Sequence, residues 1–263
     1  MSERGEVPRE LFTESLSWPS VGPDGSLLFT LDLPSGAVAA RRTPDGRVIQ
    51  LSTQELGTAL TPAMSRDGTQ VAFTIDGINA GIYVAPADGS APAQMVALGG
   101  VHSPMWLPDG RLAFARPDET GTPRLYAIPA GGGEPVIIHP RSRRLADVVA
   151  ATGEVVLVDG GFQNLWRWNP ATGVETAVPL PPELRLTALA VVRVSPDGAT
   201  ALITPGMFDA IWRVDLRGKR PAEKLHQGDV ASVAGAVYTR DGRMLFALNT
   251  ASGSLRAATV GAN

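Results

Sequence analysis

The feature that most constrains this chain is a short turn motif that recurs at a nearly constant interval. The motif reads Ser-Pro-Asp-Gly at residues 195–198. In this copy and five others, one of them decayed, the residue before the last glycine is Asp24, Asp67, Asp109, Thr152, Asp197 or Asp241. These positions lie 42 to 45 residues apart. An interval of about 40 to 45 residues between β-type segments is typical of proteins built from repeated small sheets.

Each repeat carries apolar alternation that predicts four strands around the turn. In the second repeat, strands are expected at residues 62–65, 70–75, 81–84 and 94–98. Asp-Gly between alternating apolar residues indicates a hairpin, because glycine accepts the positive φ that such turns need. No stretch of twelve or more residues shows clean helical spacing. The sequence therefore predicts an all-β fold.

The six repeats predict one domain over residues 1–263, a six-bladed β-propeller of four-stranded antiparallel blades. The blades are expected at about 15–52, 58–99, 100–140, 143–180, 186–227 and 230–263 plus 8–13. The last repeat lacks a fourth strand, whereas residues 8–13 precede the first repeat and match nothing else. We therefore expect the N-terminal strand to complete the last blade and close the ring, which removes open sheet edges.

The repeat pattern also resembles a known family. Residues 61–98 show a Pro, an apolar pair, an Asp-Gly turn and an apolar strand, followed by Ile82-Tyr83-Val84 and a second Asp-Gly. Residues 194–225, which carry the Ser-Pro-Asp-Gly turn and an apolar strand, are the other close copy. This pattern resembles the repeats of TolB-type (PD40, WD40-like) six-bladed propellers, as found in bacterial-type proteins. The resemblance implies the fold. It also implies a role such as a protein-interaction module, a lipoprotein or sensor-kinase ectodomain, or a peptidase gating domain. The fourth repeat, which has no Pro-Asp, departs most from the pattern.

Composition excludes several classes of function and location. The chain has no cysteine, so disulfides, thiolate nucleophiles and Cys-ligated metals are excluded. The net charge is −3, and the clusters at 41–42 and 141–144 are too short to track a phosphate backbone, so no nucleic-acid partner is expected. No apolar run approaches the ~18 residues of a membrane span, and no signal peptide is visible. A soluble, monomeric, cytoplasmic protein is expected, or a periplasmic or extracellular one if an upstream segment was removed.

The usual catalytic motifs are missing from the sequence. There is no Gly-x-Ser-x-Gly elbow and no Walker-type Gly-Lys-Ser/Thr. The histidines His102, His139 and His226 lack the spacing of a zinc-binding helix pair. His139 and His226 are expected at the outer rim, whereas His102 precedes an inner strand and is expected near the central channel. His102 is therefore a candidate ligand-binding residue, with a loop-capping role as the alternative.

Two charged residues on the predicted inner strands are further candidates. Arg193 stands where the other repeats carry small or apolar residues, and Asp147 replaces a proline in the adjacent blade. A charge near the axis needs a partner or water. An Arg193–Asp147 ion pair could tie the blades together. Alternatively, Arg193 grips a carboxylate or phosphate of a ligand in the channel.

A polar residue ends each predicted second strand. These residues are Asp32, Asp76, Asp118, Asp159, Asp209 and Asn249. On one face of the disc they could hold a divalent cation of the calcium type through oxygen ligands, or attract a basic peptide. The alternative is that Asp and Asn start these loops by hydrogen bonding to their own backbone. Asp76, Asp118 and Asp159 are retained as candidate ligand-binding residues.

Taken together, the sequence predicts a non-catalytic binding or scaffolding propeller. Its protein or small-molecule ligand would bind at the channel mouth and the blade-connecting loops. The alternative is a metal-dependent hydrolase, lactonase or lyase with its site in the channel. The inner strands favour binding over catalysis, because they carry mainly Ser, Ala, Val and Met rather than a tight set of metal ligands. A gating domain separated from its peptidase is a third option. No catalytic residue and no required cofactor are predicted.

Overall fold

The computed structural model divides the chain into two compact units. The N-terminal unit is Trp18–Val148, and the C-terminal unit joins Met1–Ser17 to Val149–Asn263. The structure describes residues 16–34, 36–99, 102–149, 152–159, 161–187, 190–205, 210–227, 232–239, 242–249 and 255–257. In these ranges, the regular structure is β-strand apart from a single turn of 3-10 helix at Gln54–Leu56.

Thirteen strands lie in the part of the chain that ends at residue 148. They are β1 (Leu16–Val21), β2 (Leu27–Leu33), β3 (Gly36–Arg42), β4 (Val48–Gln50), β5 (Thr58–Met64), β6 (Gln70–Asp76), β7 (Gly81–Pro86), β8 (Gln94–Leu98), β9 (His102–Trp106), β10 (Arg111–Pro117), β11 (Pro123–Pro129), β12 (Val136–Ile137) and β13 (Arg143–Val148).

Ten strands are described after residue 148. They are β14 (Val155–Asp159), β15 (Leu165–Trp168), β16 (Glu175–Val178), β17 (Val191–Val194), β18 (Thr200–Thr204), β19 (Ala210–Asp215), β20 (Glu223–Gln227), β21 (Ser232–Tyr238), β22 (Met244–Asn249) and β23 (Leu255–Ala257).

The strands form antiparallel sheets in simple chain order. Five sheets have four strands each, β1 to β4, β5 to β8, β9 to β12, β13 to β16 and β17 to β20. The sixth sheet has three described strands, β21, β22 and β23. The all-β prediction and the four-stranded repeat are therefore confirmed. The prediction of six complete blades is not: the described structure has five, and residues 8–13, predicted to complete the sixth, lie outside the described residues.

The recurring Asp-Gly turn explains where the first two strands of a repeat meet. In the second sheet, the Ser65 hydroxyl donates to Asp67 Oδ1 at 2.6 Å, and the same oxygen accepts the Thr69 amide at 3.0 Å. Ser65 Oγ also accepts the Gln70 amide, and Gly68 adopts a φ of 75°. These bonds saturate the polar groups of the turn, and glycine supplies the left-handed residue. The turn therefore fixes the hairpin register locally.

The core of the N-terminal unit lies between neighbouring sheets. Phe73 and Phe114 are fully buried, and each stacks on a tyrosine of the next strand, Tyr83 and Tyr126. In each Phe–Tyr pair the two residues lie at directly opposed positions of neighbouring strands, so both side chains are on one face of the sheet. Burial of such large aromatic side chains is the main favourable contribution to packing.

Polar side chains also join the first strands of adjacent sheets in this unit. The Ser20 hydroxyl donates to the Pro62 carbonyl at 2.6 Å, and the Trp106 indole N–H donates to the Ala63 carbonyl at 2.9 Å. Ser20 and Ala63 both stand four residues before the turn aspartate of their repeats. The first strands of these sheets therefore lie side by side in nearly the same register.

The C-terminal unit is packed in the same way. Leu202, Ile211, Ala236 and Met244 form one buried cluster. The Thr200 hydroxyl hydrogen bonds to the Tyr238 hydroxyl at 2.8 Å, which joins the fifth sheet to the sixth. The fifth and sixth sheets are thus linked by both apolar and polar contacts, as are the neighbouring sheets of the N-terminal unit.

Candidate functional site

In the third and fourth sheets, the loop that leaves the second strand is ordered by the aspartate that begins it. Asp118 follows β10, and its Oδ1 accepts the amides of Thr120 at 2.9 Å and Thr122 at 3.0 Å. The Thr120 hydroxyl donates to the same oxygen at 2.6 Å, and Arg124 Nε donates to Oδ2 at 3.0 Å. The Thr120 hydroxyl and the Arg124 guanidinium hold the pKa of Asp118 far below its usual range. Asp118 is ionised and committed to its own loop.

Asp159 does the same at the end of β14 in the C-terminal unit. Its Oδ1 accepts the amides of Gln163 at 2.8 Å and Asn164 at 3.3 Å, and its Oδ2 accepts the Asn164 side-chain amide at 2.6 Å. Asp76 is exposed at the end of β6 and accepts the Gly77 amide at 3.0 Å. These contacts match the loop-starting role of Asp, which was one of the two interpretations of the sequence. Whether the three acids also bind a ligand stays a prediction.

The candidates on the predicted inner strands occupy different units. Asp147 is half-buried in β13 of the N-terminal unit, and its Oδ1 accepts the Val148 amide at 2.8 Å. Arg193 is half-buried in β17 of the C-terminal unit, and its Nη1 donates to the Val192 carbonyl at 3.1 Å. His102 begins β9, and its backbone lies opposite Ala115 of β10. The predicted convergence of these residues on a channel, and the Arg193–Asp147 pair, stay predictions.

The described side chains give little support for a metal centre. Among them, no group of three or more His, Asp or Glu residues is arranged to hold a metal ion. Asp32 and Asp76 lie at the ends of their strands, whereas Asp209 falls outside the described residues. Of the other two histidines, His139 is buried, with its Nδ1 accepting the Arg141 amide at 3.2 Å. That contact gives His139 a structural role in the connection after the third sheet.

The structure contains a repeated backbone feature that the sequence analysis missed. Trp18, Thr61 and Ser103 have φ values of 53°, 50° and 46°, in the left-handed region that L-residues rarely adopt. Each stands six residues before the turn aspartate of its repeat, and each is followed by proline. The pairing register shifts around Thr61 and opposite Ser103, as expected of a β-bulge. The X-Pro pair at a fixed distance from the turn was the signal available in the sequence.

A second missed feature is a pair of arginines on the third sheet. Arg116 of β10 lies directly opposite Arg124 of β11, so two like charges are neighbours across the strands. The Arg116 guanidinium carbon lies 4.5 Å from the centre of the Tyr126 ring. Arg124 Nη1 donates to the Pro140 carbonyl at 2.7 Å, in addition to its contact with Asp118. Both cations are thus held in defined positions at the loop end of the sheet.

Repeated four-stranded antiparallel meanders with these turns define the class of fold, which is that of a β-propeller. Comparison with solved structures shows the same architecture. TolB from Acinetobacter baumannii is similar over 94% of this chain and 55% of its own, with a TM-score of 0.59 and 16% identity. A putative TolB from Agrobacterium tumefaciens is similar over 95% and 91%, with a TM-score of 0.64 and 14% identity. The chain therefore has a TolB-type β-propeller fold.

A third similar structure comes from a different setting. A chain of a nidogen/laminin complex matches 81% of this chain and 81% of its own length, with a TM-score of 0.63 and 17% identity. No protein-family model matches the sequence, and no curated protein matches it. At these identities the likeness concerns the fold alone. Among the described residues, no helix has the length and apolar character needed to cross a bilayer.

Proposed function

We propose that the chain is a non-catalytic β-propeller that binds a protein or small-molecule ligand at the loop ends of its sheets. The observation that carries this proposal is that the aspartates at the strand ends hold their loops in place by hydrogen bonds. Asp159 directs both carboxylate oxygens to groups of its own loop, and Asp118 directs Oδ1 to its loop and Oδ2 to Arg124 of the following strand. Loops held in this way offer a preformed surface, and preformed surfaces lose little conformational entropy on binding. The nidogen/laminin complex, with a similar fold, is an example of a protein complex.

The proposal includes a closed six-bladed arrangement. Residues 8–13 would complete the sheet of β21, β22 and β23, and the channel mouth would then be lined by His102, Asp147 and Arg193. Closure would remove two open sheet edges, which supports this arrangement on general grounds. TolB-type relatives are the expected family.

The alternative function is a metal-dependent hydrolase, lactonase or lyase. A catalytic cation of the calcium type needs six to eight oxygen ligands with free lone pairs. Asp118 and Asp159 already accept several hydrogen bonds each, which disfavours their use as ligands of such a cation. Thermal melts with calcium, magnesium and zinc separate the two functions. A saturable rise in Tm that is lost in Asp147→Ala or Asp159→Ala would favour the enzyme.

Position-specific cross-linking tests the binding function directly. Because the chain has no cysteine, a single introduced thiol carries a photo-cross-linker to one known place. Glu119→Cys places it in the exposed loop after β10, and Gly131→Cys places it in the β11–β12 turn at the opposite end of the same sheet. A Cβ at Gly131 meets no atom within 4 Å, so the control is tolerated. With native cell extract, we expect discrete cross-linked partners from position 119. Equal cross-linking from both positions would contradict the proposal.

A further inference from the structure

The arginine pair of the third sheet occupies positions that are apolar in the preceding sheets. The turn hydrogen bonds Ser65 N to Gln70 O and Leu107 N to Arg111 O define corresponding residues in β6 and β10. Counting from them, Arg116 corresponds to Ile75, which is buried in the second sheet. Arg124, opposite Arg116, likewise corresponds to Gly81, opposite Ile75. The third sheet has therefore replaced an apolar pair by two cations.

This replacement has an electrostatic cost. Like charges at directly opposed strand positions are destabilising, whereas an apolar pair would be favourable. Arg124 is compensated by Asp118, with side chains 29% and 18% exposed. The Arg116 guanidinium lies over Tyr126, and within the described part of the chain this group makes no ion pair and no hydrogen bond. Its guanidinium N–H donors are therefore held in place next to a second cation and are available to an oxyanion.

The surroundings extend this arrangement into a larger surface. Residues opposite one another, and residues two apart on a strand, share a sheet face, so Ile137 of β12 lies on the same face as Tyr126 and Arg124. Ile137 is 55% exposed on the edge strand, whereas Val136, opposite Ala127, lies on the other face of the sheet. An apolar edge beside two cations fits a peptide that carries both carboxylates and apolar side chains. A small anion would use only the cations.

The local charge supports an acidic partner. The connection from β12 to β13 is tied to this end of the sheet by the bond from Arg124 to Pro140, and it continues into the exposed Arg141. Only Asp118 and Glu119 are acidic in the facing loop, residues 118–122. An excess of positive charge here contrasts with the net charge of −3 of the whole chain. Such a contrast steers an acidic segment toward one end of the third sheet.

We propose that Arg116, which lies over the buried Tyr126, forms with Arg124 and the exposed Ile137 a docking site for an acidic segment of a protein partner. The Arg116 guanidinium binds a carboxylate of the segment, and the edge strand β12 contacts its apolar side chains. This inference deepens the proposed binding function, on which it rests, by naming the chemistry of the partner.

The test measures the binding of defined peptides by fluorescence anisotropy. The probes are a short fluorescein-labelled peptide with several Glu and two Val residues, the same peptide with Lys in place of Glu, and inorganic phosphate as competitor. We expect the Glu peptide alone to bind, and its affinity to fall from 0.15 to 1 M salt, as the Debye length shortens from about 8 to about 3 Å.

Two matched arginine substitutions give the residue-level readout. Arg116→Met keeps an unbranched apolar stem over Tyr126 but removes the charge. Loss of a charge-assisted hydrogen bond is expected to weaken Glu-peptide binding about tenfold or more, with Tm unchanged or slightly raised. Arg111→Met removes an exposed arginine at the other end of β10, which pairs with Asp109, and should leave binding unchanged.

Each contrary outcome overturns the inference. A loss of less than twofold in Arg116→Met, or equal binding of Glu and Lys peptides, excludes the arginine site. Displacement by phosphate at low concentration, together with no contribution from Val, would replace the acidic segment by a small oxyanion. Failure of every peptide also overturns the inference, whereas the proposed function is judged separately by the cross-linking at position 119, which requires no acidic ligand.

Discussion

A methyl group added at Gly81 tests the packing of the outer strands of the second sheet. A Cβ at this position would lie 2.4 Å from the Ala97 carbonyl oxygen and 3.5 Å from Met95 Cγ, both on β8. The φ of Gly81 lies outside the left-handed region, so the substitution introduces a steric clash without backbone strain. The contacting atom is backbone, which cannot rotate away. The β7–β8 pairing at Gly81 and Leu98 must therefore open.

The expected cost of Gly81→Ala combines two opposing effects. Overpacking of a tight contact costs about 1–3 kcal/mol. Replacement of glycine by alanine restricts the unfolded chain and returns about 0.4–1 kcal/mol. The net loss in the free energy of unfolding is about 1–2 kcal/mol, which lowers Tm by about 2–8 °C in a protein of this size. Calorimetry and urea unfolding measure both quantities.

Gly131→Ala is the matched control for this experiment. Gly131 has no left-handed φ, and a Cβ there would meet no atom within 4 Å. Its stability should stay within about 0.5 kcal/mol of the parent protein. If Gly81→Ala melts like Gly131→Ala, the close approach of β7 and β8 and the reasoning built on it are refuted.

Two further predictions concern the turns and the core. The Ser65 hydroxyl lowers the pKa of Asp67, and the Ser195 hydroxyl lowers that of Asp197. Because each folded pKa is below the unfolded value of about 3.9, the two carboxylates stabilise the folded protein above about pH 4. This stabilisation is lost as pH falls through the folded pKa. Urea unfolding between pH 2 and 6 should show a shallower acid slope for the double variant Asp67→Asn/Asp197→Asn, and an unchanged slope would contradict this origin. Phe73→Ala, at a fully buried position, should cost about 3–5 kcal/mol. Ile78→Ala, at a fully exposed position, should stay within about 0.5 kcal/mol, and similar losses in both would count against the core assignment.

Most of the strand architecture could be predicted because it is specified locally. The second repeat was expected to have strands at 70–75, 81–84 and 94–98, and the structure has β6, β7 and β8 at Gln70–Asp76, Gly81–Pro86 and Gln94–Leu98. The turn hydrogen bonds of Ser65 and Asp67 involve residues only a few positions apart, so their effect is visible in the sequence. Apolar alternation then follows from the pleat.

The first strand of a repeat was predicted less well. A strand was expected at 62–65, whereas β5 is Thr58–Met64 and contains a shift in register between Leu60 and Ala63. Proline is rare inside a strand because it has no N–H to donate to the ladder. The left-handed φ of Thr61 moves Pro62 out of the ladder, so the strand can continue through it. That conformation is unfavourable in isolation. It is maintained by neighbours such as the Ser20 hydroxyl bound to the Pro62 carbonyl, which are distant in sequence.

The candidate site was predicted only in part, because the sequence shows local spacing but not contacts between distant residues. Spacing from the turn placed Asp76 and Asp159 at strand ends, where the structure has them. It could not decide between loop anchoring and ligand binding, because that choice depends on which amides the loop presents. The pairing of Arg116 with Arg124 could have been found by counting outward from the loop that Asp118 begins, since Pro117 and Pro123 are its first opposed pair. The position of Arg116 over Tyr126 required coordinates.

The repeated aspartates and the unrepeated arginines point to different kinds of role. Asp67, Asp118 and Asp197 have lowered pKa values because side-chain hydroxyls and backbone amides of their own turns or loops hydrogen bond to them. A residue that serves the same local purpose in several repeats is explained by folding. A departure from the repeat that places two like charges opposite each other is not explained in this way, and Arg116 beside Arg124 is such a departure. In a protein built from similar sheets, a binding site is therefore best sought where one sheet carries charged residues at positions that are apolar in the other sheets. Here that place is the end of the third sheet with Arg116 and Arg124.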